Sequence, residues 1–439
     1  MQTFQSGRTA VLRDQTALVL EPFRGVRYSP GRVSGLAEVT SPPYDVIGDA
    51  AATRLLAADS HNVVQLIVPQ TGGKRSEGSY GDAAGTLRRW LAEGVLVPDP
   101  EPALYVYEQS DAAGNVLQRG LIGALSLSPP GAGVVLPHED VMPGPVRGRL
   151  QLMTATRANL EPIFLLTDGT PGAAARLVDQ VAMERAPLLD VVTEDGLAHR
   201  MWAVTDPAEL AAVAADLAPR HALIADGHHR YAAYLELQAR MRASGAGAGP
   251  WDQGLALLVD STVYPPRINP IHRVIPGLRP ADAVAAARAG FRVREIDGEL
   301  AAGLAALRDA GAAGAAFLVG GDGTLNLLTG PDPGQVTAAM PAGRSPHWRG
   351  LPASILQEFL LERLWGIRDD EAAVRVVHDN AATALRAAGE TGGTAVICNP
   401  VSAQDVQAVA ADGERVPRKS TSFGPKPRTG LVMRTFDAD

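Results

Sequence analysis

Short apolar runs broken by Pro and Gly alternate with helically spaced apolar positions along most of this 439-residue chain. Residues 17–20, 62–68, 163–166, 222–224, 254–259 and 315–319 have the length and apolar content of buried strands. Residues 103–109 and 119–127 read as a strand pair around the turn Ala113-Gly114-Asn115. Apolar residues at helical spacing predict helices over 79–92, ending at Gly94, and over 150–160, 172–185, 207–217 and 232–241. Pro42-Pro43-Tyr44-Asp45 reads as a rigid loop, because the residue before each proline is pushed out of helix space. Residues 1–15 look like a loose extension. After Pro276 the chain changes to Ala-rich helices alternating with short strands. The alternation predicts an α/β (α+β) protein with a mixed sheet. Two domains are expected, 16–275 and a smaller α/β domain over 276–439, whose basic tail returns to the site of the first.

The most informative stretch is Ala225-Asp226-Gly227-His228-His229-Arg230-Tyr231. It joins the apolar run Ala222-Leu223-Ile224 to a helical pattern, so two His and an Arg fill a first helical turn. That end of a helix carries unpaired N–H groups and partial positive charge, and first turns favour Asp and Glu. Cationic side chains belong there when an anion sits among them, and phosphate is the usual one. Gly227 would let the backbone approach closely. The plainer reading is that Asp226 caps the helix and the His and Arg residues are ordinary partly buried or solvated groups. On the anion reading, Arg230→Ala should abolish nucleotide binding and leave the fold intact.

Composition narrows the classes. The formal net charge of −8 and an aromatic fraction of 5% argue against a nucleic-acid-coating protein, which needs a broad basic face or stacking platforms. Cys398 is the one cysteine, so no intramolecular disulfide or multi-cysteine zinc site can form. Its context, Ala395-Val396-Ile397, suggests a buried strand rather than a nucleophile. No run of about 18 apolar residues and no signal-peptide pattern occur, which leads to the expectation of a cytoplasmic protein without a membrane span.

Four further segments place polar residues where a plain fold does not need them. Asp45 sits on the stiff Pro-Pro loop, as a general base would, or in a simple Asx-turn. His138-Glu139 supplies an acid–base or metal-binding pair, and Arg147 with Arg149 supplies a clamp for phosphate or carboxylate, on what reads as the loop Pro143-Gly144-Pro145. His272-Arg273 lies between apolar residues on an extended segment, where the two should face opposite sides. Val416–Pro427 carries Arg418, Lys419, Ser420 and Lys426. Its spacing from Gly413 resembles a P-loop but fails as one, since Pro425 and Pro427 forbid the helix that should follow.

Together these segments resemble the domain of unknown function 1015 family, often labelled as similar to SpoOJ/ParB. The matching pieces are Pro22-Phe23-Arg24-Gly25-Val26-Arg27-Tyr28, Pro42-Pro43-Tyr44-Asp45-Val46-Ile47, His138-Glu139, the Asp226–Tyr231 box, Pro270-Ile271-His272-Arg273, and Lys419-Ser420-Thr421 with Gly424-Pro425-Lys426. Gly148-Arg149 and Pro417-Arg418-Lys419 depart from the family pattern. The Asp-Gly-His-His-Arg box is also similar to the Gly-x-His-Arg box of the ParB/sulfiredoxin superfamily, which includes sulfiredoxin, CTP-hydrolysing ParB and kinases of free serine. The resemblance implies a ParB/sulfiredoxin-like nucleotide-binding domain. Asp226, Gly227, His228, His229, Arg230, His272, Arg273, Lys419, Ser420 and Lys426 would hold nucleotide phosphates. Asp45, Glu139 or His138 would act in catalysis, and Arg147 and Arg149 would meet the substrate. It implies ATP or ADP, with CTP as the alternative, and Mg²⁺ bridging the phosphates through a carboxylate. The function expected is phosphoryl transfer to a small hydroxylated metabolite such as free serine. The alternative is a nucleotide-dependent switch without metabolic turnover.

Overall fold

The structure is a computed structural model that describes residues 16–68, 70–71, 74–75, 80–370 and 372–438. The extension expected over residues 1–15 lies outside the described residues. The chain divides into two compact units: unit 1 is Met1–Pro137, Val141–Pro265 and Pro425–Asp439, and unit 2 is His138–Asp140 and Pro266–Gly424. The 275/276 boundary expected from composition falls at the end of the strand Ile271–Ile275, which pairs within unit 2. The switch to Ala-rich sequence therefore marks where unit 2's helices begin, after its first sheet strand.

Unit 1 is built on one nine-stranded sheet. Its strands are β1 (Leu20–Glu21), β2 (Leu104–Ser110), β3 (Val116–Ser126), β4 (Val135–Leu136), β5 (Ile163–Thr167), β6 (Leu189–Val192), β7 (Ala198–Val204), β8 (Ala222–Asp226) and β9 (Gln253–Asp260). They run in the order β6-β7-β2-β3-β9-β5-β8-β4, with β1 paired to β3. The pairs β5/β9 and β8/β4 are parallel and β5/β8 is antiparallel, so the sheet is mixed. Its central strands are near-continuous Leu, Ile, Val and Ala, as burial on both faces demands. The helices are α1 (Asp49–Ala58), α2 (Tyr80–Ala92), α3 (Pro143–Thr156), α4 (Ala173–Glu184), α5 (Pro207–Leu217) and α6 (His228–Ala243). Leu150 of α3, Val181 of α4, Val213 of α5 and Tyr231 of α6 join Leu165, Ile224 and Ala256 of the sheet in one core. A second core gathers Val26, Val64, Ile67, Leu87 and Trp90.

The α/β class with a mixed sheet read from the sequence is the class observed. Helix α5 occupies the predicted span, opened by Pro207 and by Asp206, whose carboxylate accepts from the N–H groups of Ala208 and Glu209. Two expectations are corrected. Residues 62–68, read as a strand, hold the helical turn Val64–Ile67. The Asn62 side chain accepts from Val64 N–H at 2.9 Å and donates to Glu38 O at 2.7 Å, which starts a turn where apolar content alone could not choose. Pro143-Gly144-Pro145, read as a loop, is the first turn of α3, where proline's missing N–H costs nothing.

Unit 2 carries a six-stranded sheet of β10 (Ile271–Ile275), β11 (Arg292–Glu295), β12 (Ala316–Gly320), β13 (Leu325–Thr329), β14 (Arg375–His378) and β15 (Thr394–Cys398). Its order is β11-β13-β12-β15-β10-β14, with every neighbour antiparallel. Helices α7 (Leu300–Gly311) and α8 (Ala381–Glu390) supply Leu307, Ala384 and Ala388 to a core with Leu318, Leu327 and Ile397. Helix α9 (Ala403–Ala411) follows β15. Among the described residues, no helix is long and apolar enough to cross a membrane.

One buried group in unit 1 makes stability depend on pH. His199 of β7 lies between Tyr107, whose Oη is 2.8 Å from Nδ1, and Thr193, whose Oγ1 is 3.0 Å from Nε2. Burial and the nearby Arg428 charge hold its pKa down at about 4. The unfolded chain, with an ordinary His pKa of about 6.5, binds the proton more readily than the fold does. The stabilisation is therefore complete above about pH 6.5 and lost as pH falls toward 4, by up to about 3 kcal/mol. Urea midpoints measured across that window should fall steeply in the wild type and less steeply in His199→Gln. Parallel slopes would contradict the assignment.

Candidate functional site

Strand β8 delivers the site. Its buried run ends at Asp226, and the chain turns into α6 through Gly227, which has φ 97. A Cβ there would lie 2.8 Å from Ile163 Cγ2, so the position needs glycine on both counts. Gly227 itself is the N-cap, and no side chain caps the helix. Asp226 is thus not the cap; its carboxylate turns to cations instead.

Those cations come from two places. Arg230 Nη2 donates to Asp226 Oδ2 at 2.6 Å, and its Nη1 donates to Pro162 O at 2.6 Å. Lys426 Nζ, from the C-terminal segment of unit 1, lies 2.6 Å from Asp226 Oδ1 and 2.6 Å from Asp45 Oδ2. Three remote segments therefore meet in one ionic chain, Asp45–Lys426–Asp226–Arg230. The Asp45 and Lys426 side chains keep 37% and 20% of their surface exposed, so this end of the chain faces solvent. Burial pushes the Asp45 carboxyl up, but the Lys426 and Arg230 charges outweigh it and leave the pKa below the ordinary value. Burial pulls Lys426 down, but Asp226 and Asp45 raise it above the usual lysine range. At neutral pH Asp45 is therefore a carboxylate and Lys426 an ammonium.

Beneath it lies a residue the sequence reading missed. Glu161, just before β5, is 4% exposed. Its Oε1 accepts from Tyr44 N–H at 2.9 Å and its Oε2 is 3.7 Å from Arg149 Nη1. Burial raises its pKa; the Arg230 and Arg149 charges oppose this without cancelling it. Arg149 stacks over the Tyr44 ring, with Cζ 4.1 Å from the centroid, and donates to Ile67 O at 2.9 Å. Glu161 therefore anchors the backbone immediately before Asp45. A sequence signal existed in retrospect: a carboxylate in the apolar lead-in Asn159-Leu160-Glu161-Pro162-Ile163.

The other expected site residues sort as follows. In unit 1, His228 is 6% exposed, and His229 accepts from Met142 N–H at Nε2, which an imidazolium could not do. Arg230, 4% exposed, is a buried structural cation rather than an open phosphate ligand. Arg147 is exposed on α3 while Arg149 is buried, so the two do not form a clamp; residues two apart on a helix face different ways. The remaining residues belong to unit 2. His138 is fully buried, with Nε2 2.8 Å from Thr421 Oγ1 and its ring edge-on to Phe423. Glu139 lies 3.9 Å from Lys419 Nζ. Arg273 is buried in an ion pair with Asp369 at 3.1 Å and donates to the carbonyls of Ile271, Lys419 and Arg418. His272 is buried, takes Cys398 N–H at Nδ1 and is held at about pKa 4 by burial and by Arg273, so it is neutral. The extended segment is an inner strand, between β15 and β14, which is why both side chains are buried. Ser420 donates to Pro417 O.

Mg²⁺ usually joins a phosphate site through one or two carboxylates. Here Asp45 and Asp226 already close on the Lys426 ammonium. Among the described residues, no group of three or more His, Cys, Asp or Glu is disposed to hold a metal.

Several solved structures resemble the chain at low identity. A free serine kinase variant in complex with ADP aligns with 66% of this chain and 84% of its own, at 14% identity and a TM-score of 0.33. A conserved hypothetical protein from Pyrococcus furiosus aligns with 70% of this chain and 94% of its own, at 15% identity and a TM-score of 0.33. SbnI with a C-terminal truncation, from Staphylococcus aureus, aligns over 71% and 81%, at 11% identity and a TM-score of 0.32. No match was found among curated proteins. Residues 20–354, well over half of the chain, match the family described as protein of unknown function (DUF1015), and the chain belongs to that family.

Proposed function

We propose that unit 1 is a nucleotide-dependent phosphotransferase acting on a small hydroxylated metabolite, with free serine as the first acceptor to test. The observation that carries this is the Lys426 ammonium bridging Asp45 and Asp226 at 2.6 Å each, beside the uncapped start of α6. The first-turn N–H groups after Gly227 and the Lys426 ammonium would receive the phosphates of ATP or ADP. Asp45, on its braced loop, would accept the acceptor hydroxyl's proton. The hydroxyl oxygen then bonds to the terminal phosphorus as the phosphoanhydride bond breaks, and the shortened nucleotide leaves with the bond's electron pair. Lys426 would offset charge on the transferred group. The sequence resemblance to the Gly-x-His-Arg box supports the same placement, with Arg230 acting through Asp226 instead of touching phosphate.

The test begins with thermal shifts in ATP, ADP and CTP, followed by mass spectrometry of serine and other small alcohols incubated with the stabilising nucleotide. Asp45→Asn should leave nucleotide affinity within about threefold and lower product formation at least about a hundredfold, the lower end of what a positioned base supplies. Equal turnover in the variant would remove Asp45 from the chemistry.

A further inference from the structure

Two glutamines are buried in the sheet of unit 1. Gln109 of β2 and Gln118 of β3 stand directly opposite each other in the strand register, and each is 1% exposed. A buried amide is costly unless its polar atoms are met, so the partners of this pair show its use. Gln118 Nε2 donates to Gln109 Oε1 and, at 2.9 Å, to Pro425 O. Gln109 Nε2 donates to Lys426 O at 3.1 Å. The buried Gln118 oxygen has no hydrogen-bond partner among the described residues. The pair is therefore oriented by what it donates to, and an orphaned acceptor is tolerated to keep it so.

The two carbonyls held are those on either side of the Lys426 α-carbon. Peptide groups are planar, so fixing both sets the direction in which the lysine side chain leaves the backbone. Pro425 and Pro427 stiffen the same stretch, because each ring locks its own φ. Farther along, Arg428 N–H donates to Tyr107 Oη at 3.1 Å, from the same face of β2 as Gln109. Thr429 and Ser41 then exchange backbone hydrogen bonds of 3.1 and 2.9 Å. Ser41 leads directly into the Pro42-Pro43 loop that carries Asp45. One segment, residues 425–429, thus sets both the root of Lys426 and the loop whose carboxylate it meets at 2.6 Å.

We infer that Gln109 and Gln118 are positioning residues, which hold the backbone on both sides of Lys426 so that its ammonium stands between Asp45 and Asp226 ready for a nucleotide phosphate. The inference rests on the reading of Lys426 as a phosphate ligand given above. Neither glutamine touches substrate in this picture; both act through the lysine.

Two readouts on the full-length protein test it. Reductive methylation modifies amines and spares ammoniums, so the rate at Lys426, read by peptide mass against Lys419 as internal reference, reports whether the ammonium is still held. Asp226 and Asp45 keep Lys426 protonated in the wild type, so it should react slowly. Gln109→Met with Gln118→Met, which keeps side-chain length and removes the donors, should speed that rate at least about fivefold. Calorimetry should show ADP affinity at least about fivefold weaker at about pH 7.5, and partly restored at about pH 5 where Asp45 takes up a proton. In a Lys426→Met background the glutamine changes should add no further loss. Should the double variant fail to fold, Gln118→Met alone gives the same readings in smaller degree. An unchanged methylation rate would overturn the inference, as would an affinity loss of equal size with and without Lys426 or at both pH values. Wild-type ADP affinity in Lys426→Met itself would instead remove Lys426 from phosphate binding, while the methylation rate still decides whether the glutamines hold it.

Discussion

Lys426→Met is expected to weaken ADP binding at least about tenfold and to make what remains depend on pH. Methionine keeps most of the side chain's apolar stem and deletes its charge. Two carboxylates that each sat 2.6 Å from an ammonium then face one another, with Arg230 still holding Asp226. A phosphate approaching the start of α6 would meet one more net negative charge than before. Removing one partner of a fully buried pair costs about 3–5 kcal/mol, but Asp45 is 37% exposed and water can take up part of the loss, so about 2 kcal/mol of stability is expected to go. The pH dependence is the sharper test. In the wild type, Lys426 keeps the Asp45 pKa below its ordinary value, so binding should be flat from about pH 5 to 8. Without Lys426 the largest influence left on Asp45 is burial, which raises the pKa, so acid should protonate it and partly restore affinity. Calorimetry at both ends of that range distinguishes this from simple loss of a contact. Unchanged affinity, or a flat profile in the variant, would remove the ionic bridge from the binding site.

The parts of this protein legible in its sequence were those set by local rules. Helix α5 announced itself through Asp206 and Pro207, and the turn into α6 through Asp226-Gly227, because a cap and a left-handed glycine act on their immediate neighbours. The Asp226–Arg230 box stands out in the sequence, but which way its side chains turn was not legible. Arg230 sits where burial pulls down its pKa and Glu161, Asp226 and Asp45 push it up more strongly. Those partners lie 69, 4 and 185 positions away, and a local pattern cannot weigh the two distant ones. The same limit hid Glu161, whose partners Tyr44, Arg149 and Arg230 come from separate segments. His272 and Arg273 were expected to face opposite sides of an extended segment; both are buried because the strand lies inside a sheet, which local alternation does not reveal. Lys426 was expected to reach a phosphate from a basic tail. The structure gives it two carboxylates, a pairing that needed the fold to bring residues 45, 226 and 426 together.

Arg230→Met is expected to damage the fold first, reversing the sequence-based expectation that Arg230→Ala would spare it. The side chain is 4% exposed, and its two terminal nitrogens hold Pro162 O and Asp226. Deleting it leaves Asp226 with only Lys426 and removes the strongest charge opposing the buried Glu161, and losing one member of a buried pair costs about 3–5 kcal/mol. That is a large share of the roughly 5–15 kcal/mol by which domains are stable. Glu161 gives the loss a recognisable sign. Its folded pKa already stands above the ordinary value, and Arg230 is the strongest influence opposing that rise. Without Arg230 the folded pKa climbs further. A carboxyl with a raised folded pKa stabilises fully below its unfolded pKa and progressively less as pH rises through the folded one. The variant's deficit in urea midpoint should therefore be larger at about pH 8 than at about pH 5, and Glu161→Gln in the same background should flatten the difference. A deficit independent of pH would mean that Glu161 and Arg230 are not coupled. A variant as stable as the wild type would mean that the guanidinium is not buried, and would return Arg230 to the candidates for direct phosphate contact.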